Sequence, residues 1–296
     1  MALFQISTDS TCDLYADEIK DYGLWFLPLT YSLSNKGNIT IYNDEFKHMS
    51  DYTAYYDKLR SGIISKTSMN NPSVHENFFR KIAESGVKEL IHFTISYGLC
   101  RTVDVAREAV EVVKKDYPDF HCLCVECSTT TIGQGFLVRI ALDMRDKNKT
   151  LEETFDYVES VKRNIQHFIV ADDLIFLHRG GRLPLSKAAI GTLLNVKPVI
   201  IFNKEGKLVN YKKERGLKKT INSIAEEYSK YTVNKDYPTV YIGHTDNLPA
   251  AELLKNALKE KYGIDAVIRM IGPVIGSHLG PNAVAYIFLS NEERPM

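Results

Sequence analysis

The sequence predicts two α/β domains: an N-terminal parallel sheet with flanking helices over 1–168 and a smaller mixed-sheet domain over 169–296. Three observations carry this. The chain has 296 residues, and single cores stop growing near ~250–300, so two cores fit better than one. Short apolar runs alternate with helical patterns through the first half, the mark of right-handed βαβ units. Beyond the 165–175 region, two strand-like runs are joined by the short turn Asn203–Gly206, which makes an antiparallel pair.

The elements follow in order. Ala2–Thr8 reads as a strand, then Leu14–Tyr22 as a helix and Leu24–Tyr31 as a second strand. Tyr52, Tyr55, Tyr56 and Leu59 recur at i, i+3, i+4 and i+7, one face of a buried helix. Ser73 and Glu76 have the spacing of a capping box ahead of Phe78, Phe79 and Ile82. Glu89–Ile95 is a strand, and Ala106, Ala109, Val110 and Val113 form another helical stripe. His121–Glu126 is a strand and Gly133–Met144 a helix; Thr150 and Glu153 box a further helix ending near Asn164. In the second half, Lys197–Phe202, Lys207–Glu214, Thr239–His244, Ala266–Ile271 and Ala283–Leu289 read as strands. Lys218–Tyr231 and Ala250–Lys261 read as helices.

Composition narrows the function. Hydrophobic residues are 44% and charged residues 25%, an ordinary globular balance. Lys+Arg and Asp+Glu are 37 each, so the basic excess of a nucleic-acid binder is absent. The apolar run Val196–Phe202 is broken by Lys197 and Pro198, far short of the ~20 residues of a membrane span. Met1–Asp9 lacks the basic n-region and apolar core of a signal peptide. The cysteines number five, an odd count, so the protein is expected in the cytoplasm. Cys122, Cys124 and Cys127 read as small buried hydrophobes on a strand, with no second Cys/His pair at zinc spacing. With no heptad or broad apolar stripe, a monomer is expected.

Four polar or glycine-rich clusters stand where strands should end: Thr8–Asp13, Lys66-Thr67-Ser68, Thr94–Thr102 and Gly272–Pro281. In open α/β sheets ligands bind beyond the carboxyl ends of strands, and hydroxyls with free amides suit an anion. Each cluster alone also reads as a cap or turn. His278 is the histidine flanked by glycine-rich backbone on both sides. A fifth feature is the basic corner Arg179-Gly180-Gly181-Arg182; Lys212, Lys213, Arg215, Lys218 and Lys219 read as a solvated face. Asp172-Asp173 reads as an acidic first turn of a helix. The dinucleotide fingerprint, the P-loop, H-E-x-x-H and G-x-S-x-G are all absent, and Gly133-Gln134-Gly135 lacks the third glycine.

Taken together and in this order, the clusters resemble the DegV family over nearly the whole chain. The matching pieces are Ser7–Thr11, Leu27-Pro28-Leu29, Lys66-Thr67-Ser68, Ser96–Thr102, Gly180-Gly181-Arg182, Leu194–Pro198 and Gly272–Pro281. Ser96-Tyr97-Gly98-Leu99-Cys100-Arg101-Thr102 departs from the family's S-S-x-L-S-G-T at Tyr97, Cys100 and Arg101. The family's D-S after the strand is Cys127-Ser128.

The resemblance implies a lipid binder that holds one long-chain fatty acid between two α/β domains, with no other cofactor. It also implies a separate ATP-binding kinase subunit that phosphorylates the carboxylate to an acyl phosphate. Carried over, Thr67, Ser96 and His278 would hold the carboxylate. Asp9, Ser10, Thr11, Gly276 and Gly280 would support the site, and Arg182 and Arg215 would dock the kinase. A protonated His278 would add charge assistance. The abundant Phe and Tyr, 13 and 17 of them, are candidates for the tunnel wall. Two other readings compete. One is an acyl hydrolase with Ser96 or Ser277 as nucleophile and His278 as base. The other is a carrier of a different lipid without a kinase partner.

Overall fold

The computed structural model describes residues 3–183 and 196–295. Leu194-Asn195 and most of the run that follows Leu183 therefore lie outside the described residues. The first elements are β1 (Gln5–Asp9), α1 (Ala16–Asp21), β2 (Trp25–Leu27), β3 (Thr30–Asn35), β4 (Asn38–Asn43), α2 (Met49–Arg60), β5 (Ile64–Ser68) and α3 (Pro72–Glu84). Then come β6 (Glu89–Thr94), α4 (Thr102–Lys114), β7 (His121–Glu126), α5 (Ile132–Asp146), α6 (Leu151–Val161), β8 (Ile165–Val170) and α7 (Ile175–Arg179). After residue 195 follow β9 (Val196–Phe202), β10 (Leu208–Arg215), α8 (Leu217–Glu227), β11 (Tyr241–His244), α9 (Leu248–Tyr262), β12 (Val267–Met270), α10 (Pro273–Leu279) and β13 (Val284–Leu289).

Strands β2-β1-β6-β7 form a parallel sheet, as the strand–helix alternation requires. Strands β10-β9-β8-β13-β11-β12 form a mixed sheet. The Asn203–Gly206 turn joins β9 to β10 as an antiparallel pair, closed by Gly206 N–H on the Asn203 carbonyl at 3.0 Å. Strand β8, for which the sequence reading names no element, is the buried centre of this sheet. The expected division between 168 and 169 falls inside it.

A third sheet was not expected. Strands β4-β3-β5 make a three-stranded antiparallel unit. Its hairpin turns on Lys36-Gly37, with φ of 48° and 90°, the two-residue geometry that matches strand twist. One face packs on α2, whose Tyr52, Tyr55, Tyr56 and Leu59 are buried as the spacing predicts.

The helix starts test the capping chemistry. Thr150 and Glu153 make their reciprocal bonds at 3.2 and 2.9 Å. The Ser73–Glu76 box is corrected: Asn71 caps the Val74 amide at 3.0 Å, with Pro72 in the first helical position. Asp173 accepts from Ile175 N–H at 2.8 Å at the start of α7. Cys122 and Cys124 pack beneath α3 and α4, while Val125 faces the central core. Among the described residues no group of His, Cys, Asp and Glu could hold a metal, and no helix is long and apolar enough to cross a membrane.

The largest core lies between the parallel and mixed sheets, with α5 sandwiched there. This explains Gly133 and Gly135. A Cβ on Gly133 would sit 2.4 Å from Thr129 Oγ1, and one on Gly135 would sit 2.6 Å from the Cys12 carbonyl. They permit close helix packing and carry no nucleotide signal.

Candidate functional site

Strand alternation aims the key hydroxyls. In β5, Ser65 and Thr67 pair with Leu33 and Tyr31, which are buried, so both point to the inner face; Ile64, Lys66 and Ser68 point outward. Opposite them lies α10, started by Pro273 and ended by Gly280 at φ +72°. A Cβ on Gly280 would meet the Phe176 ring at 2.4 Å, and one on Gly276 would meet the Tyr56 hydroxyl at 2.4 Å. These two glycines let α10 press against α2 and α7.

The helix splits its two adjacent polar residues. Ser277 Oγ donates to the Pro273 carbonyl at 2.7 Å and lies 2.8 Å from Tyr55 Oη and 2.7 Å from Ser65 Oγ. His278 turns the other way, and its Nε2 is 2.8 Å from Thr67 Oγ1. Its Nδ1 is buried without a hydrogen-bond partner among the described residues. Gly180 explains this: a Cβ there would lie 2.1 Å from Nδ1, so the backbone itself walls off that side. Burial, with the Arg182 charge nearby, lowers the His278 pKa to about 4. The imidazole is therefore neutral at pH 7, not the cation the sequence reading invoked. Its Nε2 is engaged by Thr67, so neither Ser96 nor Ser277 forms a nucleophile–base pair with it.

An apolar cavity of about 130 Å³ reaches this pair. One water needs roughly 10–15 Å³, so the space is many times larger than a hydration site. Its wall draws on the mixed sheet, on the connections beyond the parallel strands and on α10, through residues such as Ile95, Ile169, Phe202, Ile287, Ile275 and Leu279. Among the described residues, Phe202 is the one phenyl ring in the wall, and no tyrosine belongs to it. Tyrosines instead fill the core between α2 and the three-stranded sheet. Beyond the pair lies a second, polar cleft lined by Ser65, Lys66, Phe176, Arg179, Gly180 and Ser277. Thr67, Arg182 and His278 belong to both spaces. The Thr67–His278 pair thus stands where an oily cavity meets a basic cleft.

The other expected residues sit elsewhere. Ser96 is fully buried but outside the cavity wall. It donates to the Gly206 carbonyl at 2.8 Å and accepts from Gly98 N–H at 3.2 Å, tying the β9–β10 turn to the β6–α4 connection. Its proton is spent there, so the structure does not bring it to Thr67 and His278. Tyr97 is 46% exposed and stacks under Arg101. Asp9 accepts from Thr11 N–H, Thr11 Oγ1, Gln134 Nε2 and Ile95 N–H, a buried knot joining β1, α5 and β6. Ser10 Oγ accepts from Leu29 N–H at 3.1 Å. Arg182 donates to the Gly180 carbonyl at 2.6 Å at the cleft. Arg215, exposed at the end of β10, lines neither space. Lys66 and Arg179 are the charged cleft residues the sequence reading did not assign, although both lie in motifs it singled out.

The uncharacterised DegV family, as described for its members, matches residues 3–291. The chain belongs to the DegV family. A DegV domain-containing protein of Clostridium perfringens is 34% identical over 296 residues, all of both chains. One from Streptococcus pyogenes is 33% identical over 292 residues, covering 98% of this chain and 99% of that one. Among solved structures, a fatty acid binding DegV family protein of Streptococcus agalactiae is 28% identical, with a TM-score of 0.82 over 98% of this chain and 99% of that one. A DegV family protein of Thermus thermophilus, described for its fatty acid binding, is 26% identical, with a TM-score of 0.82 over 97% and 99%. The DegV architecture, a parallel sheet followed by a mixed sheet, is the one described above.

Proposed function

We propose that this DegV family protein binds a long-chain fatty acid, its tail in the apolar cavity and its carboxylate at Thr67 and His278. The observation that carries the reading is the single hydrogen-bonded polar pair at the junction of an apolar cavity and a basic cleft. The tail supplies the driving force: ~14 methylenes at ~0.8 kcal/mol each amount to a gross ~11 kcal/mol. Association and chain-ordering losses reduce this. The carboxylate is the costly end and needs hydrogen bonds when buried. Thr67 offers one, and Lys66, Arg179 and Arg182 set a positive potential beyond it.

The same cleft supports the finer reading, in which the head group is presented to a separate ATP-dependent kinase subunit that forms the acyl phosphate. Phosphoryl transfer needs phosphate-cradling groups and Mg²⁺, and the sequence has no P-loop. The protein acts in this reading as a cytoplasmic monomer and lipid-binding subunit. Arg182 belongs to the docking face by position, while Arg215 would have to contact the partner from a separate site. Mass spectrometry of ligand extracted from freshly purified protein tests the core claim. A long-chain fatty acid at near one equivalent is expected; a sterol, an isoprenoid or no lipid would refute it. ATP consumption with oleate by the purified chain alone would refute the need for a partner.

A further inference from the structure

The cavity wall holds a second polar group. Thr130, Thr131 and His167 line it, and none of them touches the basic cleft. His167 is spoken for: Nε2 lies 3.0 Å from Thr129 Oγ1 and Nδ1 lies 3.3 Å from the Ile165 carbonyl. Thr130 Oγ1 donates to the Thr11 carbonyl at 3.5 Å. Thr131 differs. Its residue is 6% exposed, and its hydroxyl makes no hydrogen bond among the described residues.

Its position makes this unusual. Thr131 precedes the first turn of α5, where a threonine hydroxyl ordinarily accepts from an amide of that turn. Here it does not cap. The Gln134 amide instead reaches the Thr130 carbonyl at 3.4 Å. The backbone of Thr131 has φ 55° and ψ −139°, a region β-branched residues rarely enter. Such a conformation persists only where the surroundings over-determine it. They do: the Ser96 amide holds the Thr129 carbonyl at 2.8 Å, and Gly133 lets Thr129 and His167 close over the helix start. The chain is thus held in a costly conformation with a hydroxyl that has no partner among the described residues, in a wall that is mostly apolar. A plain acyl chain would leave that hydroxyl unpaired, at a desolvation cost.

We infer that Thr131 recognises an oxygen carried on the acyl chain, which makes hydroxylated long-chain fatty acids the preferred ligand class. This rests on the fatty-acid reading above. The test is to titrate the full-length protein with stearate and with a positional series of hydroxystearates. One or more isomers should bind about three- to tenfold tighter than stearate, the range of one net hydrogen bond. Thr131→Val should lose that advantage, binding the hydroxystearates no tighter than it binds stearate, while Thr131→Ser should keep it. If every hydroxystearate binds the wild-type protein no better than stearate, or if the valine variant keeps the preference, the inference is overturned. The wild-type comparison decides whether or not the valine variant folds. If stearate and the whole series all fail to bind, the fatty-acid reading fails and takes this inference with it.

Discussion

Thr67→Val isolates the head-group contact. The substitution keeps the β-branched shape that suits β5 and removes only the hydroxyl. It strips His278 Nε2 of its 2.8 Å partner. In the complex it removes a hydrogen bond to a charged acceptor, an interaction of ~1.5–3 kcal/mol, or about ten- to hundredfold in affinity. Displacement of a fluorescent fatty acid by palmitate would measure it. Methyl palmitate is the control, because it has the same tail and no charge, so its affinity should barely change. The decisive quantity is the palmitate-to-ester ratio in wild type and variant. An unchanged ratio would take Thr67 out of the carboxylate site and leave the cavity without an identified polar anchor.

Three further outcomes follow from the same coordinates. Ser96→Ala leaves the Gly206 carbonyl without its donor; it should cost ~1–3 kcal/mol of stability by denaturant titration and leave the palmitate-to-ester ratio intact, whereas a collapsed ratio would return Ser96 to the head group. Burial lowers His75 and His278 to about 4 and His92 and His167 to about 3. All four lie below the ordinary histidine value, so their stability contribution is present above pH ~6.5 and is lost as pH falls through 4 toward 3. Melting temperatures should drop steeply over that window, and a flat profile would contradict the burial of these rings. Burial raises Asp44 to about 7, with the Asp9 charge adding to the effect. Its contribution is present at low pH and is lost as pH rises from the ordinary carboxylate range through 7, so Asp44→Asn should raise the melting temperature more at pH ~8 than at pH ~5; an equal effect at both would show an ionised Asp44 throughout.

The parts of the fold legible in the sequence were those with strong periodicity or chemistry. The buried stripe of α4 and the Thr150–Glu153 box announce themselves. The three-stranded sheet did not. In β4 all six residues are exposed, so Asn38–Asn43 lacks the half-buried alternation that marks a strand. Its one local signal was Lys36-Gly37, a two-residue turn with positive φ at both positions. Helix α10 was hidden among glycines, although Pro273 at its start and Gly280 past its end have the asymmetry of a short helix. At the site, the contact between Thr67 and His278 spans 211 residues and depends on that unrecognised helix facing that unrecognised strand. The resemblance supplied the pairing; periodicity could not. Ser96 shows the reverse. Its hydroxyl was visible as a strand-end donor, but the Gly206 carbonyl that claims it lies 110 residues away.

The Thr67–His278 bond sets a rule for how a carboxylate can enter. Thr67 has one proton. While it donates to His278 Nε2, it cannot also donate to a fatty acid. For Thr67 to hold the carboxylate, Nε2 must carry the hydrogen and donate to Thr67 Oγ1. Nδ1 must then be the bare nitrogen, which fits its surroundings: among the described residues it is buried without a partner, and it is pressed against Gly180. A doubly protonated ring would put a charged, unpaired N–H on that same buried side, which the low pKa of about 4 already disfavours. The bound state should therefore show His278 as the neutral Nε2–H tautomer at pH ~7. Nitrogen-15 chemical shifts of the ring, with and without palmitate, distinguish the three forms. Finding the Nδ1–H tautomer in the complex would mean that Thr67 does not give its proton to the ligand.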